Sequence, residues 1–419
     1  MTPPGTGLTT VLAGTLIDGT GLDPRHHVQI TITGDTITAI ADGHDVPAGS
    51  SVVDARHLTV MPGLIDSHVH LAMVPKGLED RLQTPYSLQV AETLVNARLT
   101  LEAGVTTVRD AGGMPRGTKL AIERGMFPGP RARISVGALS QTGGHGDSTT
   151  RSGVRLRADS ADAPMSEHPW TVADGVDEVR KGVRELIRAG ADQIKMMTSG
   201  GVMSPGSEPG RPGFSIDEIT AIVNEARAAG RTTMSHAQAS VGIMNAVKCG
   251  VDSIEHGIYL TEEICVEMRK RGTYLVPTLV APLWVVRRGE ADPTSVPAWA
   301  VEKGRAVMAD HQASFRLAVE LGVTVAMGTD SGVGPHGTNA EELERMVLGG
   351  MSAMQAIVAS TSVAARCCQL DHLTGTIAVG MRADILAING DPLADIRVLQ
   401  DSGNIHLIMK DGHAFKPLH

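Results

Sequence analysis

Aromatic side chains are nearly absent, with three tryptophans, three tyrosines and four phenylalanines in 419 residues. Alanine, glycine and valine are abundant, so the core must be mostly aliphatic. Cysteine is scarce too. Cys249, Cys265, Cys367 and Cys368 form no C-x-x-C pair, and adjacent cysteines rarely bridge each other, which predicts reduced thiols in a cytoplasmic protein. Positive charge is not in excess: the net charge is −9 and the pI about 6.0, which argues against a nucleic-acid partner. No run of eighteen apolar residues predicts a membrane span. Residues 1–14 lack the basic start and long apolar stretch of a secretory signal. What is present, 42% hydrophobic and 20% charged residues, describes a soluble globular protein. Its length suits one large α/β barrel or two to three ordinary domains.

The two ends of the chain read alike. Short strand patterns at Thr9–Gly14, Val28–Ile32 and Thr36–Ile40 are separated by turn signals at Gly34-Asp35 and Asp42-Gly43. The same style returns at 375–388 and 405–412, predicting one small composite β-sandwich built from residues 1–59 and 366–419. Residues 60–365 differ. Apolar strands alternate with helical stretches such as Leu88–Ala103 and Val176–Ala189. The strands are read at 61–68, 105–109, 132–136, 191–196, 232–236, 251–256, 273–277 and 323–329. The phrases Glu102-Ala103-Gly104-Val105, Arg188-Ala189-Gly190-Ala191 and Lys248-Cys249-Gly250-Val251 each join a helix end, a glycine and a buried strand. Eight such units predict an α/β fold, a (β/α)8 TIM barrel flanked by the composite β-sandwich.

In a barrel of this kind, reactive residues sit where strands end. Those ends carry His68 and His70, Lys195, His236, His256 and Asp330. His68 and His70, one residue apart on a strand, point the same way and lie about 7 Å apart along the chain, so they can grip one ion from one side. Each residue alone has a plainer reading; Lys195 can snorkel and Asp330 can cap a helix. Five strands offering ligand types at one rim is not explained that way. Lysine is the informative member. A buried lysine near two metals can lose its proton and take up carbon dioxide, giving a carbamate that bridges both ions.

These residues, with the lead-in Pro62-Gly63-Leu64-Ile65-Asp66, resemble the amidohydrolase superfamily. The stretches Thr106–Asp110, Gln141–Asp147, Ile194-Lys195, Glu255-His256-Gly257 and Gly328–Ser331 look like its imidazolonepropionase-like branch, which includes Xaa-Pro dipeptidases, metallo-carboxypeptidases and ochratoxin-hydrolysing amidohydrolases. The resemblance implies two Zn2+ per chain: one on His68, His70 and Asp330, the other on His236 and His256, bridged by carboxylated Lys195. It implies a metal-activated hydroxide attacking an amide of an N-acyl amino acid, dipeptide-like or ochratoxin-type substrate, with Asp330 as general base and then acid. It also implies a homo-oligomer. A cyclic amide or imidazolone-type ring is the alternative substrate, although Lys195 speaks against the mononuclear imidazolonepropionase reaction. A barrel that has become a non-catalytic scaffold would have lost ligands, and none is missing.

Four further residues are candidate substrate contacts. His145 lies in a glycine-rich loop, Tyr259 follows His256, and His336 lies beyond Asp330. Arg109 offers a carboxylate partner, with a structural ion pair as its other reading. Gln238 stands two residues after His236, where dipeptidase relatives carry an aromatic residue or histidine. The Gly/Pro-rich segment 199–213 reads as a loop able to act as a lid. Tyr86, Trp170, Phe214, Tyr259, Trp284 and Trp299 fall near the catalytic face, either lining an apolar vestibule or packing loops and subunits together.

Overall fold

A computed structural model describes residues 7–43, 45–74, 76, 80, 83–149, 152–153, 167–169 and 171–418. The strands in chain order are β1 (Leu8–Leu16), β2 (Arg25–Thr33), β3 (Thr36–Asp42), β4 (Ser51–Pro62), β5 (Leu64–Val69), β6 (Val105–Asp110), β7 (Arg131–Ile134) and β8 (Ala138–Leu139). They continue as β9 (Gln193–Met197), β10 (Thr232–Ala237), β11 (Ser253–His256), β12 (Tyr274–Val276), β13 (Ile385–Ile388), β14 (Ile405–Lys410) and β15 (His413–Lys416).

Both chain ends do share one sheet. Its order is β15-β14-β13-β4-β1-β2-β3, and β4 sits at the seam, parallel to β1 and antiparallel to β13. Val11, Ile30, Val60, Ile385 and Leu407 form its own aliphatic core. The run expected as one strand over 61–68 divides at Gly63. Met61 and Pro62 still pair with β13, while Leu64 begins β5. Gly63 donates its N–H to Asp384 O at 2.9 Å. A Cβ there would lie 2.1 Å from Thr106 Oγ1, so the chain crosses between sheets at a point with no room for a side chain. Gly63→Ala should therefore destabilise the fold by about 1–3 kcal/mol, measured by denaturant unfolding.

The middle of the chain is α/β. Strands β5-β6-β7 form one parallel sheet, and β12-β11-β10-β9-β8 a second. Helices lie between successive strands, except between β7 and β8, and several begin and end on recognisable chemistry. Ile216–Ala228 opens on a Ser215/Glu218 capping box. Val176–Ala189 has Asp177 and Glu178 in its first turn and Arg188 in its last, and stops at Gly190 with φ 104°. The expected strand at 323–329 is not a regular strand. It is an extended segment that bridges β12 at Val325 and β5 at Ser331, and Met327 O accepts from Ser67 N at 2.9 Å. At the opposite gap, Asp192 N donates to Ile134 O at 2.7 Å, beside the start of β9. Because all these pairings are parallel, the C-terminal ends of the strands open towards one side. No helix among the described residues is long and apolar enough to cross a membrane.

The core is aliphatic, as the composition requires, with one telling exception. Among the described residues, Arg109 and Lys195 stand with Phe214 and Phe315 as the largest fully buried side chains. Burying two cations is costly unless each has a partner or a task.

Candidate metal centre and active site

The His-x-His pair lies at the end of β5, and Asp330 faces it across the gap filled by 323–331. His68 Nε2 and His70 Nε2 lie 3.4 and 3.3 Å from Asp330 Oδ1. The other nitrogens are committed: His68 Nδ1 to Glu255 Oε2 at 2.7 Å and His70 Nδ1 to Gly112 O at 2.8 Å. A carbonyl can only accept, so His70 Nδ1 carries the hydrogen and its Nε2 is turned to the carboxylate. On their own, these contacts call for protons on the two Nε2 atoms; a divalent cation bound between the rings and the carboxylate would take the place of those protons. Burial opposes ionisation of Asp330, yet His68 and His70 hold its carboxyl well below the usual range.

His256 closes the group. Its ring is 5.2 Å from His68 and 4.5 Å from His236, and Thr278 Oγ1 meets its Nδ1 at 2.7 Å. Ligand atoms of His68, His256 and Asp330 all lie within 4.8 Å of one another, a triple drawn from both of the ion sites expected from sequence. His236 Nε2 donates to Gly200 O at 3.0 Å, leaving Nδ1 with its lone pair. His256 and Asp330 both have left-handed backbones, φ 73° and 59°, which a non-glycine residue keeps only where its surroundings enforce it. These imidazole and carboxylate donors, with the remote nitrogens tied by acceptors, fit a divalent ion such as zinc.

Lys195 enters from β9, paired with Met234 of β10 and Ala138 of β8. It is 2% exposed, and among the described residues no hydrogen bond reaches Nζ. Burial pushes its amine down to about 8, against the attraction of Glu255 and Asp330. Its charge adds, behind burial and alongside other neighbouring charges, to what holds His145, His236 and His256 low, and β9 pairs directly with β10, the strand that carries His236.

Glu255 is the site residue that sequence reasoning missed. It is fully buried and accepts from His68 Nδ1, from Arg109 Nη2 at 3.0 Å and from Ser253 Oγ at 2.5 Å. Burial would raise its carboxyl, but Arg109 and His68 hold it at about 2. The available signal was an acid inside a buried strand, which needs a buried base, and Arg109 was that base. Glu255→Gln leaves Arg109 unpaired and His68 with a weaker acceptor. We expect metal affinity to fall about 10–100-fold and stability by about 3–5 kcal/mol, read by chelator competition and by denaturant unfolding.

The expected substrate contacts divide. His145 is at the site: its ring stacks on His236 at 4.1 Å, its buried Nδ1 has no partner among the described residues, and a Cβ on Gly201 would lie 2.5 Å from it. Arg109 is not presented to a substrate. Its Nε donates to Ser67 O at 2.7 Å and its two terminal nitrogens to Ser253 and Glu255, so the ion-pair reading holds. His336 Nε2 is likewise spent on Met73 O at 2.9 Å. Tyr259 packs with Trp299 against Val202, Ile258, Val285 and Val333 rather than standing free beside His256. Phe214 is core, and Trp284 fills the space a Cβ on Gly334 would need, 2.6 Å away. Tyr86 Oη donates to Glu167 at 2.8 Å. These rings pack loops together; Trp170 lies outside the described residues. Gln238 is 5% exposed, with a buried Oε1 that has no partner among the described residues. Segment 199–213 borders the site, since Gly200 O accepts from His236 and Ser207 O from Lys303 Nζ at 2.6 Å.

The Amidohydrolase family profile matches residues 59–415. The chain belongs to the amidohydrolase family. Ochratoxinase of Aspergillus niger is 35% identical over 428 residues, covering 98% of this chain and 87% of that protein. A crystal structure of an Xaa-Pro dipeptidase with methionine in its active site has a TM-score of 0.88 at 34% identity, covering 98% of this chain and all (100%) of the other. A prolidase crystallised with N-methylphosphonate-L-proline gives 0.89 at 35%, covering 98% and 100%. This amidohydrolase is accordingly a hydrolase acting on amide carbon–nitrogen bonds.

Proposed function

We propose that this amidohydrolase is a two-zinc enzyme that cleaves the amide of an N-acyl amino acid, a dipeptide-like compound or an ochratoxin-type substrate. The carrying observation is the meeting of His68, His70, His256 and Asp330 around one point, with the buried Lys195 on β9, the strand next to the one that carries His236. Relatives named for ochratoxin and Xaa-Pro substrates support the substrate range. The reading includes a closed (β/α)8 barrel over 60–365, a composite β-sandwich from 1–59 and 366–419, a cytoplasmic setting and a homo-oligomer. Four free cysteines agree with a reducing compartment.

His68, His70 and Asp330 would hold one zinc and His236 and His256 the other. When bound, the ions supply Lewis acidity towards the scissile carbonyl and lower the pKa of water to about 7. Lys195 would serve both ions as an N-carboxylate, which its neutral amine would form by adding to the carbon of CO2 with loss of one proton to solvent. The Asp330 carboxylate accepts the proton of the attacking water and returns it to the leaving nitrogen, which cannot depart as an anion. His145 contacts the substrate carbonyl or carboxylate. Glu255 and Arg109 keep His68 in one tautomer and orientation.

The test is a substrate screen with zinc-loaded protein against N-acyl amino acids, Xaa-Pro dipeptides and aryl amides including ochratoxin A. Hydrolysis of linear amides is expected, abolished by a chelator and restored by zinc. Turnover confined to cyclic amides or imidazolone rings would overturn the substrate reading.

A further inference from the structure

The helix Ala298–Glu320 lies outside every motif that carries the chemistry, yet it sends side chains into the loops of the catalytic face. His311, 2% exposed, places Nε2 at 3.0 Å from His256 O and 2.8 Å from Pro277 O. Both partners are carbonyls, so Nε2 carries the hydrogen and shares it between the ends of β11 and β12. The residues it fixes are unusual. His256 has φ 73°, and Thr278, next to Pro277, has φ 51°. Thr278 Oγ1 in turn meets His256 Nδ1 at 2.7 Å. One imidazole thus clamps the carbonyl of a ligand-type histidine and the carbonyl preceding that histidine's hydrogen-bond partner. Strained backbone of this kind persists only where neighbours over-determine it.

We propose that His311 is a positioning residue for the metal centre: its Nε2–H locks the two left-handed turns that aim His256 at Asp330 and His68. The inference rests on the two-zinc reading. His311 touches neither substrate nor ion, so its effect passes through the orientation of His256 and Thr278. Ser314, one turn further along, serves as the internal control. It binds Ile258 O at 2.6 Å and Leu260 N at 3.0 Å, holding a neighbouring loop without contacting either strand end.

The test compares zinc dissociation constants, measured by competition with a chromophoric chelator, for wild type, His311→Phe, His311→Gln and Ser314→Ala. His311→Phe should weaken one zinc about 10–100-fold. Gln, which can present a donor near the Nε2 position, should return the constant to within a few-fold of wild type, and Ser314→Ala should leave it unchanged. If the Phe variant does not fold, His311→Asn takes its place, because its shorter amide cannot reach both carbonyls and should lose affinity where Gln keeps it. Wild-type affinity in the Phe or Asn variant, or an equal loss in Ser314→Ala, overturns the proposal while the metal reading stands. A wild-type protein that takes up no zinc overturns both.

Discussion

Asp330→Asn should lower kcat by about 10²–10⁴-fold while KM for an amide substrate stays within a few-fold. The carboxamide keeps the shape of the side chain but cannot take a proton. Asp330 Oδ1 faces both His68 Nε2 and His70 Nε2, and those rings hold the carboxyl well below its ordinary range despite burial. It is therefore a carboxylate at neutral pH, available to accept a proton and return it. Steady-state kinetics with zinc content determined on the same sample separates loss of proton transfer from loss of metal. An unchanged kcat in metal-loaded Asp330→Asn would remove the general-base role.

Lys195→Met should show opposite effects on function and on stability. Activity should fall at least about 100-fold, since loss of a ligand should exceed the effect of losing one of its supports. Zinc content should drop below two per chain. Stability of the metal-free protein should be unchanged or higher, because a buried amine with no hydrogen bond to Nζ among the described residues is replaced by an apolar chain of similar length. Metal analysis and thermal unfolding of the apo-protein read the two halves independently. A destabilised but active variant would mean that Lys195 serves packing rather than chemistry.

Local signals were the legible part of this chain. The glycines in the three helix–glycine–strand phrases do adopt positive φ: Gly104 at 82°, Gly190 at 104° and Gly250 at 86°. The helix Val176–Ala189 has the bounds that its periodicity predicts. Residues whose role depends on contacts across long sequence separations were not legible. Glu255 and His68 are 187 positions apart, and nothing in the strand Ser253–His256 names its partner. The segment expected as a strand at 323–329 is bridged at Val325 and is followed by the left-handed Asp330, features that its apolar pattern does not announce. The break at Gly63 was hidden because β4 and β5 are equally apolar, and only the Thr106 side chain marks the crossing. The aromatics were legible only as two alternatives, a vestibule or loop packing; of these, Tyr259 and Trp299, both partly buried, pack against Val202, Ile258 and Val333.

Anomalous scattering at the zinc edge from crystals of the zinc-loaded protein addresses the central claim most directly. The account predicts two peaks per chain, one against His68, His70 and Asp330 and one against His236 and His256, with a carboxyl group on Lys195 Nζ reaching both. A single peak, or an unmodified Lys195 turned away from the histidines, would contradict it.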